Sequence, residues 1–236
     1  MAGFTERELN RLKEGITPVQ VPPIESAMPS NTGSTYKIPV APGTGQWDLS
    51  TIEPEVLADA LLRRLTSTYN PDTDHSRDTA KRWVESMREL VTTEPFNFTT
   101  FPATSDEMII LGPIPFYTMC AHHVIPFYGH AFVGYVPKDL IAGLSKFARH
   151  VKNMAKGFWV QEELTGAIAD GIESELDPRG VAVILEGEHM CMSMRGVQMP
   201  GVVTTTSSMR GVFGDHERTA KAEFFQLIAP RRKTNG

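Results

Sequence analysis

The chain has 236 residues, 41% of them hydrophobic, enough for one substantial core with an appended arm. Its net charge of -5 and pI near 5.8 exclude a general attraction to nucleic acid or to an anionic membrane, so any anionic ligand must be held by local cations. No apolar run approaches the ~20 residues of a membrane-crossing helix, and the opening Met-Ala-Gly-Phe-Thr-Glu-Arg-Glu lacks the apolar core of a signal peptide, which sets the expectation of a cytoplasmic protein.

Residues 1–14 carry a weak helical pattern through Phe4, Leu9 and Leu12, whereas 17–46 are crowded with Pro, Ser, Gly and Asn and show no periodicity. The expectation is an extended, partly disordered arm over residues 1–53. From Pro54 the pattern turns helical, with Leu57, Leu61 and Leu65 recurring every four residues and an end near Tyr69-Asn70-Pro71. A second helix fits 77–91, with Ser76 as N-cap and Ala80, Trp83, Val84, Met87, Leu90 and Val91 as its apolar stripe. Arg82 lies off that stripe, and on pattern alone it reads as a solvated charge.

Residues 107–111 and 132–136 read as strands on either side of Cys120-Ala121-His122-His123, with Pro115 and Pro126 limiting regular structure near that motif. A turn carried between strands is a frequent home for catalytic groups. A helical pair follows. The first helix runs through Leu144, Phe147, Ala148, Val151 and Met154, and the second through Leu164, Ala167, Ile168, Ile172 and Leu176. Lys146, Arg149, His150 and Asn153 form the polar side of the first, with Ser145 at its start, which reads as a solvated face; Ser145, Lys146 and Arg149 read alternatively as a phosphate cradle at a helix N-terminus. Gln161 and Glu162 open the second, either as a dipole-favoured first turn or as a pair able to read the donor edge of a guanine.

Residues 180–195 read as one strand whose last seven alternate. That puts His189, Cys191, Ser193 and Arg195 on one face and Met190, Met192 and Met194 on the other, the methionines as core packing. A turn over 196–201, a threonine-rich strand over 202–207 and a short helix over 219–228 complete the pattern, and 231–236 form a basic, mobile tail.

Both cysteines of the chain stand within three residues of a histidine. They read as a disulfide, as inert core thiols or as metal ligands, and the compartment favours the last. Cys120 and His123 supply a thiolate and an imidazole from one turn, and Cys191 supplies a second thiolate from elsewhere. Three such donors suit zinc with a fourth position left open, as in a catalytic site. His122 and His189 are then spare, as a proton-transfer reaction needs.

Taken together, Cys120-Ala121-His122-His123, Gly143-Leu144-Ser145-Lys146-Phe147-Ala148-Arg149, Val160-Gln161-Glu162 and Glu188-His189-Met190-Cys191 with Arg195-Gly196 resemble the GTP cyclohydrolase I family in order and spacing over about residues 54–228. The resemblance implies an α+β tunnelling fold (T-fold): an antiparallel sheet with a helical pair on one face over 105–230, preceded by helices over 54–91, in one catalytic domain over 54–230. It further implies a homo-oligomer, usually a decamer of two stacked five-membered rings, with active sites between subunits. Carried over, it makes Cys120, His123 and Cys191 the Zn2+ ligands and His122 and His189 the proton-transfer residues, with Ser145 a further proton carrier. Gln161 and Glu162 would bind guanine, and Ser145, Lys146, Arg149 and Arg195 the triphosphate and ribose. Arg82, in Thr79-Ala80-Lys81-Arg82, matches an arginine that reaches a neighbouring subunit's triphosphate. Two departures stand out: the family usually has Pro at the position of Ala80 and Glu at that of Ala121. The implied reaction is zinc-dependent conversion of GTP to 7,8-dihydroneopterin triphosphate and formate. A GTP-binding protein without full turnover, and a structural zinc or disulfide protein, are the competing readings.

Overall fold

A computed structural model of the chain describes residues 52–214 and 218–233. The arm expected over 1–53 lies outside them apart from its last two residues. The described elements are, in chain order, α1 (Pro54–Leu65), α2 (Thr79–Val91), β1 (Thr100–Pro102), β2 (Ile109–Cys120), β3 (Pro126–Val136), β4 (Leu140–Ala142), α3 (Leu144–Met154), β5 (Phe158–Trp159), α4 (Gln161–Leu176), β6 (Gly180–His189), a single helical turn α5 (Met190–Ser193), β7 (Val203–Gly211) and α6 (Arg218–Lys233). The class is α+β, as expected.

Five strands form the main sheet in the order β5-β2-β3-β6-β7, antiparallel throughout except where the two-residue β5 runs parallel to the end of β2. The central strands β3 and β6 are buried on both faces. Ala131, Val133 and Tyr135 with Val181, Val183 and Leu185 meet Phe147, Val151, Leu164, Ile168 and Ile172 of α3 and α4. The alternate residues Phe132, Ala182 and Ile184 meet Phe213, Phe224 and Ile228 on the other face. Each such Val, Leu, Ile or Phe side chain, fully removed from water, contributes about 1.5–3 kcal/mol, and the alanines less. The helical pair thus covers one face, and α6 covers part of the other.

Several sequence expectations need correction. The strands placed at 107–111 and 132–136 are parts of much longer ones. Pro115 sits within β2 because β5 pairs only with Met119 and Cys120, leaving β2 a free edge beside the proline; Pro126 is the first residue of β3. Helix α2 starts at Thr79, not at Arg77, and Ser76 does not cap it. Residues 73–79 are taken up by consecutive turns, with Ser76 N–H and Arg77 N–H both donating to Thr73 O and Thr79 N–H to Ser76 O. The helix expected over 219–228 runs on to Lys233, so the boundary drawn at 230 falls inside it, and Arg231 donates to Ile110 O at 3.3 Å. The stripe of α1 is not core among the described residues: Leu61 and Leu65 are 46% and 69% exposed.

The largest correction falls at 189–195. Strand β6 stops at His189, and Met190–Ser193 turns as a helix. The cause is loss of partners. On one side His189 is paired with Phe127, next to Pro126, the first residue of β3 and one with no N–H to donate; on the other, β7 begins pairing at Val203 opposite Glu188. Beyond His189 the backbone has nothing to pair with and closes its own bond, Met194 N–H to Met190 O at 3.0 Å. The alternation of faces therefore does not hold, and Met192 and Met194 are exposed rather than packed.

Candidate metal centre and active site

Cys120 is the last residue of β2, 4% exposed and part of the main core. Its N–H donates to Ile125 O, and its carbonyl accepts from His123 N–H and Val124 N–H, so residues 120–125 form one tight turn. Val124 lies at φ 53, a left-handed conformation that a β-branched residue adopts only at a cost of about 1–3 kcal/mol. The turn brings His123 Nδ1 to 3.8 Å and His122 Nδ1 to 3.9 Å from Cys120 Sγ. Cys191 arrives from α5. The ligand atoms of Cys120, His123 and Cys191 all lie within 4.8 Å of one another, and both thiols are free.

The donor set fits zinc. A tetrahedral ion with Zn–S near 2.3 Å and Zn–N near 2.0–2.1 Å has ligand-to-ligand edges of roughly 3.5 Å, close to the separations found. Desolvation and then the neighbouring Cys120 sulfur push the Cys191 thiol up, while the Arg195 charge pulls it down. The Cys191 thiol is thus disfavoured as an anion by itself, and a bound cation reverses that balance.

Strand β5 connects the metal turn to the next residues of the site. Trp159 pairs with Cys120 and its carbonyl accepts from Ala121 N–H, so the start of α4, two residues on, opens beside the turn. Gln161 there is 2% exposed. Its Nε2 donates to Leu185 O at 3.3 Å, Thr204 O at 3.0 Å and Thr206 Oγ1 at 3.0 Å, and its Oε1 lies 2.9 Å from His189 Nε2. Two of those acceptors are backbone carbonyls, which cannot donate, so the amide has one orientation and His189 must carry its proton on Nε2. The basic nitrogen left to His189 is Nδ1. A side chain at Gly187 would place its Cβ 2.7 Å from Gln161 Oε1, so only glycine leaves room for this amide. Phe127 stacks on the His189 ring at 4.3 Å and 7°. Desolvation lowers the His189 pKa and the Glu162 carboxylate raises it in part.

Of the residues singled out from sequence, the fold gathers Cys120, His123 and Cys191, with His122 against Cys120 and with His189, Gln161 and Glu162 alongside. Arg195 is close enough to Cys191 to act on its charge. Ser145, Lys146 and Arg149 lie on α3, with Ser145 and Arg149 exposed. Arg82 is spent locally on His75 O, Thr79 Oγ1 and Asp78. Among the described residues no hydrogen bond or ion pair joins these four to the Cys-His-Cys group. Phe127 was missed as a contributor and has no local signature, since it meets His189 only through strand register; Glu188 stands in the Glu188-His189-Met190-Cys191 motif but was given no role there.

A sequence profile of the family described as GTP cyclohydrolase I matches residues 58–229. A GTP cyclohydrolase 1 of Hydrogenobaculum sp. (strain Y04AAS1) is 51% identical over 151 residues, covering 63% of this chain and 80% of that protein. The GTP cyclohydrolase 1 of Brevibacillus brevis is 43% identical over 165 residues (67% and 88%), and that of Mycobacterium tuberculosis (strain ATCC 25618 / H37Rv) is 44% identical over 180 residues (72% and 89%). Among solved structures, the archaeosine synthase QueF-Like in its apo form aligns with a TM-score of 0.37 and 16% identity, covering 46% of this chain and 97% of that one.

Proposed function

This chain belongs to the GTP cyclohydrolase I family, and from that premise we propose that it hydrolyses and rearranges GTP to 7,8-dihydroneopterin triphosphate, releasing formate. The observation that carries the reading is the convergence of Cys120, His123 and Cys191, from segments about seventy residues apart, beside two histidines that take no part in the cluster. Those three residues would hold Zn2+. When bound, zinc lowers the pKa of a water to about 7 and so supplies a nucleophile at neutral pH.

The remaining work falls to the chain's own groups. Glu162, exposed at the opening of α4, accepts the N–H donors of the guanine edge. Gln161 is buried and committed to His189, so its side chain serves the site through that histidine. His122 and His189 move protons to and from the purine nitrogens as the ring opens. His189, with a fixed Nε2 proton and a free Nδ1, has a defined acceptor to present. Ser145 joins His189 as proton carrier in the ribose steps, and Lys146, Arg149 and Arg195 neutralise the triphosphate.

The protein acts as a cytoplasmic homo-oligomer, a decamer, with each active site shared between subunits. Two observations support the assembly. Among the described residues no hydrogen bond or ion pair joins Lys146, Arg149 or Arg82 to the Cys-His-Cys group of their own chain, and Met194, Val197 and Met199 of the loop beyond Cys191, with Val203 at the start of β7, are exposed by more than half each. Apolar side chains left open beside a charged site are suited to burial by a second copy.

The test is direct. Purified zinc-loaded protein given GTP is expected to release formate and to yield a fluorescent pterin after oxidation, and a chelator is expected to stop both. Turnover that persists without metal would overturn the zinc reading, and binding of GTP without formate would favour a non-catalytic relative of the same fold.

A further inference from the structure

Beyond Cys191, which packs against the main core, the loop that carries Cys191 and Arg195 is poorly held by packing. Every residue from 194 to 203 is exposed, and none from 190 to 203 is buried. Among the described residues, the backbone bonds within it are Met194 N–H to Met190 O, Met199 N–H to Met192 O and Gln198 N–H to Arg195 O. A chain segment so open to water should wander, yet it has to deliver a metal ligand at one end and a cation four residues later.

Glu188 supplies what packing does not. It lies on the face of β6 opposite to His189, with Tyr128 of β3 and Val203 of β7 as its cross-strand partners. One of its oxygens, Oε1, accepts from Ser193 Oγ at 2.7 Å and from Gly201 N–H at 2.9 Å. Ser193 ends the helical turn that bears Cys191, and Gly201 stands just before β7. One carboxylate oxygen therefore ties both ends of the stretch that contains Arg195. Hydrogen bonds to an ionised acceptor are about twice as strong as neutral ones, and apart from the contact of the Cys191 thiol with Cys120 these two are the side-chain bonds found for the loop among the described residues. The carboxylate is held below its ordinary pKa by Gly201 N–H first and the Ser193 hydroxyl second, with Tyr128 adding to the effect.

We propose that Glu188 is a positioning residue which closes the 190–201 loop through a single oxygen and thereby sets Cys191 for the metal and Arg195 for the triphosphate. The consequences for zinc and GTP rest on the function proposed above; the closure of the loop does not. A bond-accepting oxygen is what the geometry requires, and Gln at this position retains one. Glu188→Gln is therefore expected to keep the loop, and Glu188→Ala to release it.

Hydrogen exchange of the full chain, first stripped of metal, reads the closure without reference to activity. Peptides covering 190–201 are expected to exchange about tenfold faster in Glu188→Ala than in the unmodified protein, with Glu188→Gln within about threefold. The zinc-loaded proteins are then compared for transfer of zinc to a chromophoric chelator and for KM against kcat with GTP. Glu188→Ala is expected to lose zinc about tenfold faster, the lower end of what outer partners of a metal ligand contribute, and to raise KM more than it lowers kcat. Unchanged exchange in Glu188→Ala, or equal loosening in Glu188→Gln, would overturn the clamp. A loosened loop with unaltered zinc release and KM would overturn its link to the site. Should Glu188→Ala fail to fold by circular dichroism, Ser193→Ala carries the same test with one bond removed. A wild-type protein that turns over no GTP would sink the functional reading while leaving the exchange result to decide the clamp alone.

Discussion

The two segments that bring sulfur to the metal site are built in opposite ways. The 120–125 turn is rooted in the core: Cys120 is buried, and both β3 and β5 hydrogen-bond to its strand. The 190–201 loop projects past the end of the sheet, where β6 has run out of partners; only Cys191 packs against the core, and the rest is held by a carboxylate and a few backbone bonds. Rigidity is thus concentrated on one side of the site. A metal that bridges them fastens an exposed segment to a packed one, which is the way binding free energy becomes structural order.

Breaking either sulfur is the most severe test of that contrast. Cys120→Ser and Cys191→Ser are each expected to abolish zinc retention and formate release, measured by metal analysis and GTP turnover. They should differ in metal-free stability: a hydroxyl forced into the core at 120 costs about 1–3 kcal/mol, whereas the change at 191 stays within about 0.5 kcal/mol. Equal thermal shifts would remove the asymmetry.

Next comes His122→Ala, on the rooted turn but outside the ligand set. Zinc content is expected to stay at the wild-type level while kcat falls by about 10²- to 10⁴-fold, the range of a lost general acid or base. Full activity in that variant would end its assignment. On the sheet side, Gln161→Leu frees His189 to rotate and change tautomer, and kcat is expected to fall about 10²-fold with a smaller change in KM. Glu162→Gln is the counterpart, expected to act mainly on KM. If Gln161→Leu moved KM alone, its amide would be a guanine reader after all.

The smallest effect concerns the packed side only. His150, expected on the polar side of its helix, is instead 4% exposed: its Nε2 lies 2.9 Å from Ile168 O and the ring faces Gly171, whose lack of a side chain makes room for it. Burial holds its pKa below the ordinary 6.5, with the Ile168 carbonyl and Glu175 opposing in part. The unfolded chain therefore binds the proton more readily. The stability His150 contributes is complete above pH of about 6.5 and is lost as pH falls towards the folded-state value. Thermal unfolding at pH 7.5 and 5.5 should show that loss, reduced in His150→Leu; an equal loss in both proteins would assign the acid sensitivity to other groups.

Much of the fold could be read from periodicity. The helical pair at 144–154 and 161–176 keeps its spacing because each helix buries one stripe against the sheet, and that stripe is written locally. The threonine-rich strand and the metal turn were legible for a similar reason: Cys-x-x-His is a short motif whose donors meet within one turn. The 189–195 segment was misread because its alternation is real in the sequence but has no neighbours to pair with. The roles of Glu188 and Phe127 and the orientation of Gln161 were invisible because each depends on partners brought up from outside its own segment: Ser193 and Gly201 for Glu188, His189 for Phe127, and Leu185, Thr204 and His189 for Gln161.

The sequence by itself determined which residue types are available for chemistry and the local geometry of Cys120, His122 and His123, because short-range spacing alone sets those. Only the tertiary structure decided that Cys191 reaches them, that His189 keeps its proton on Nε2, and that the strand breaks where it does. Those outcomes follow from strand register and from the ends of neighbouring strands, which are long-range facts that no local pattern encodes.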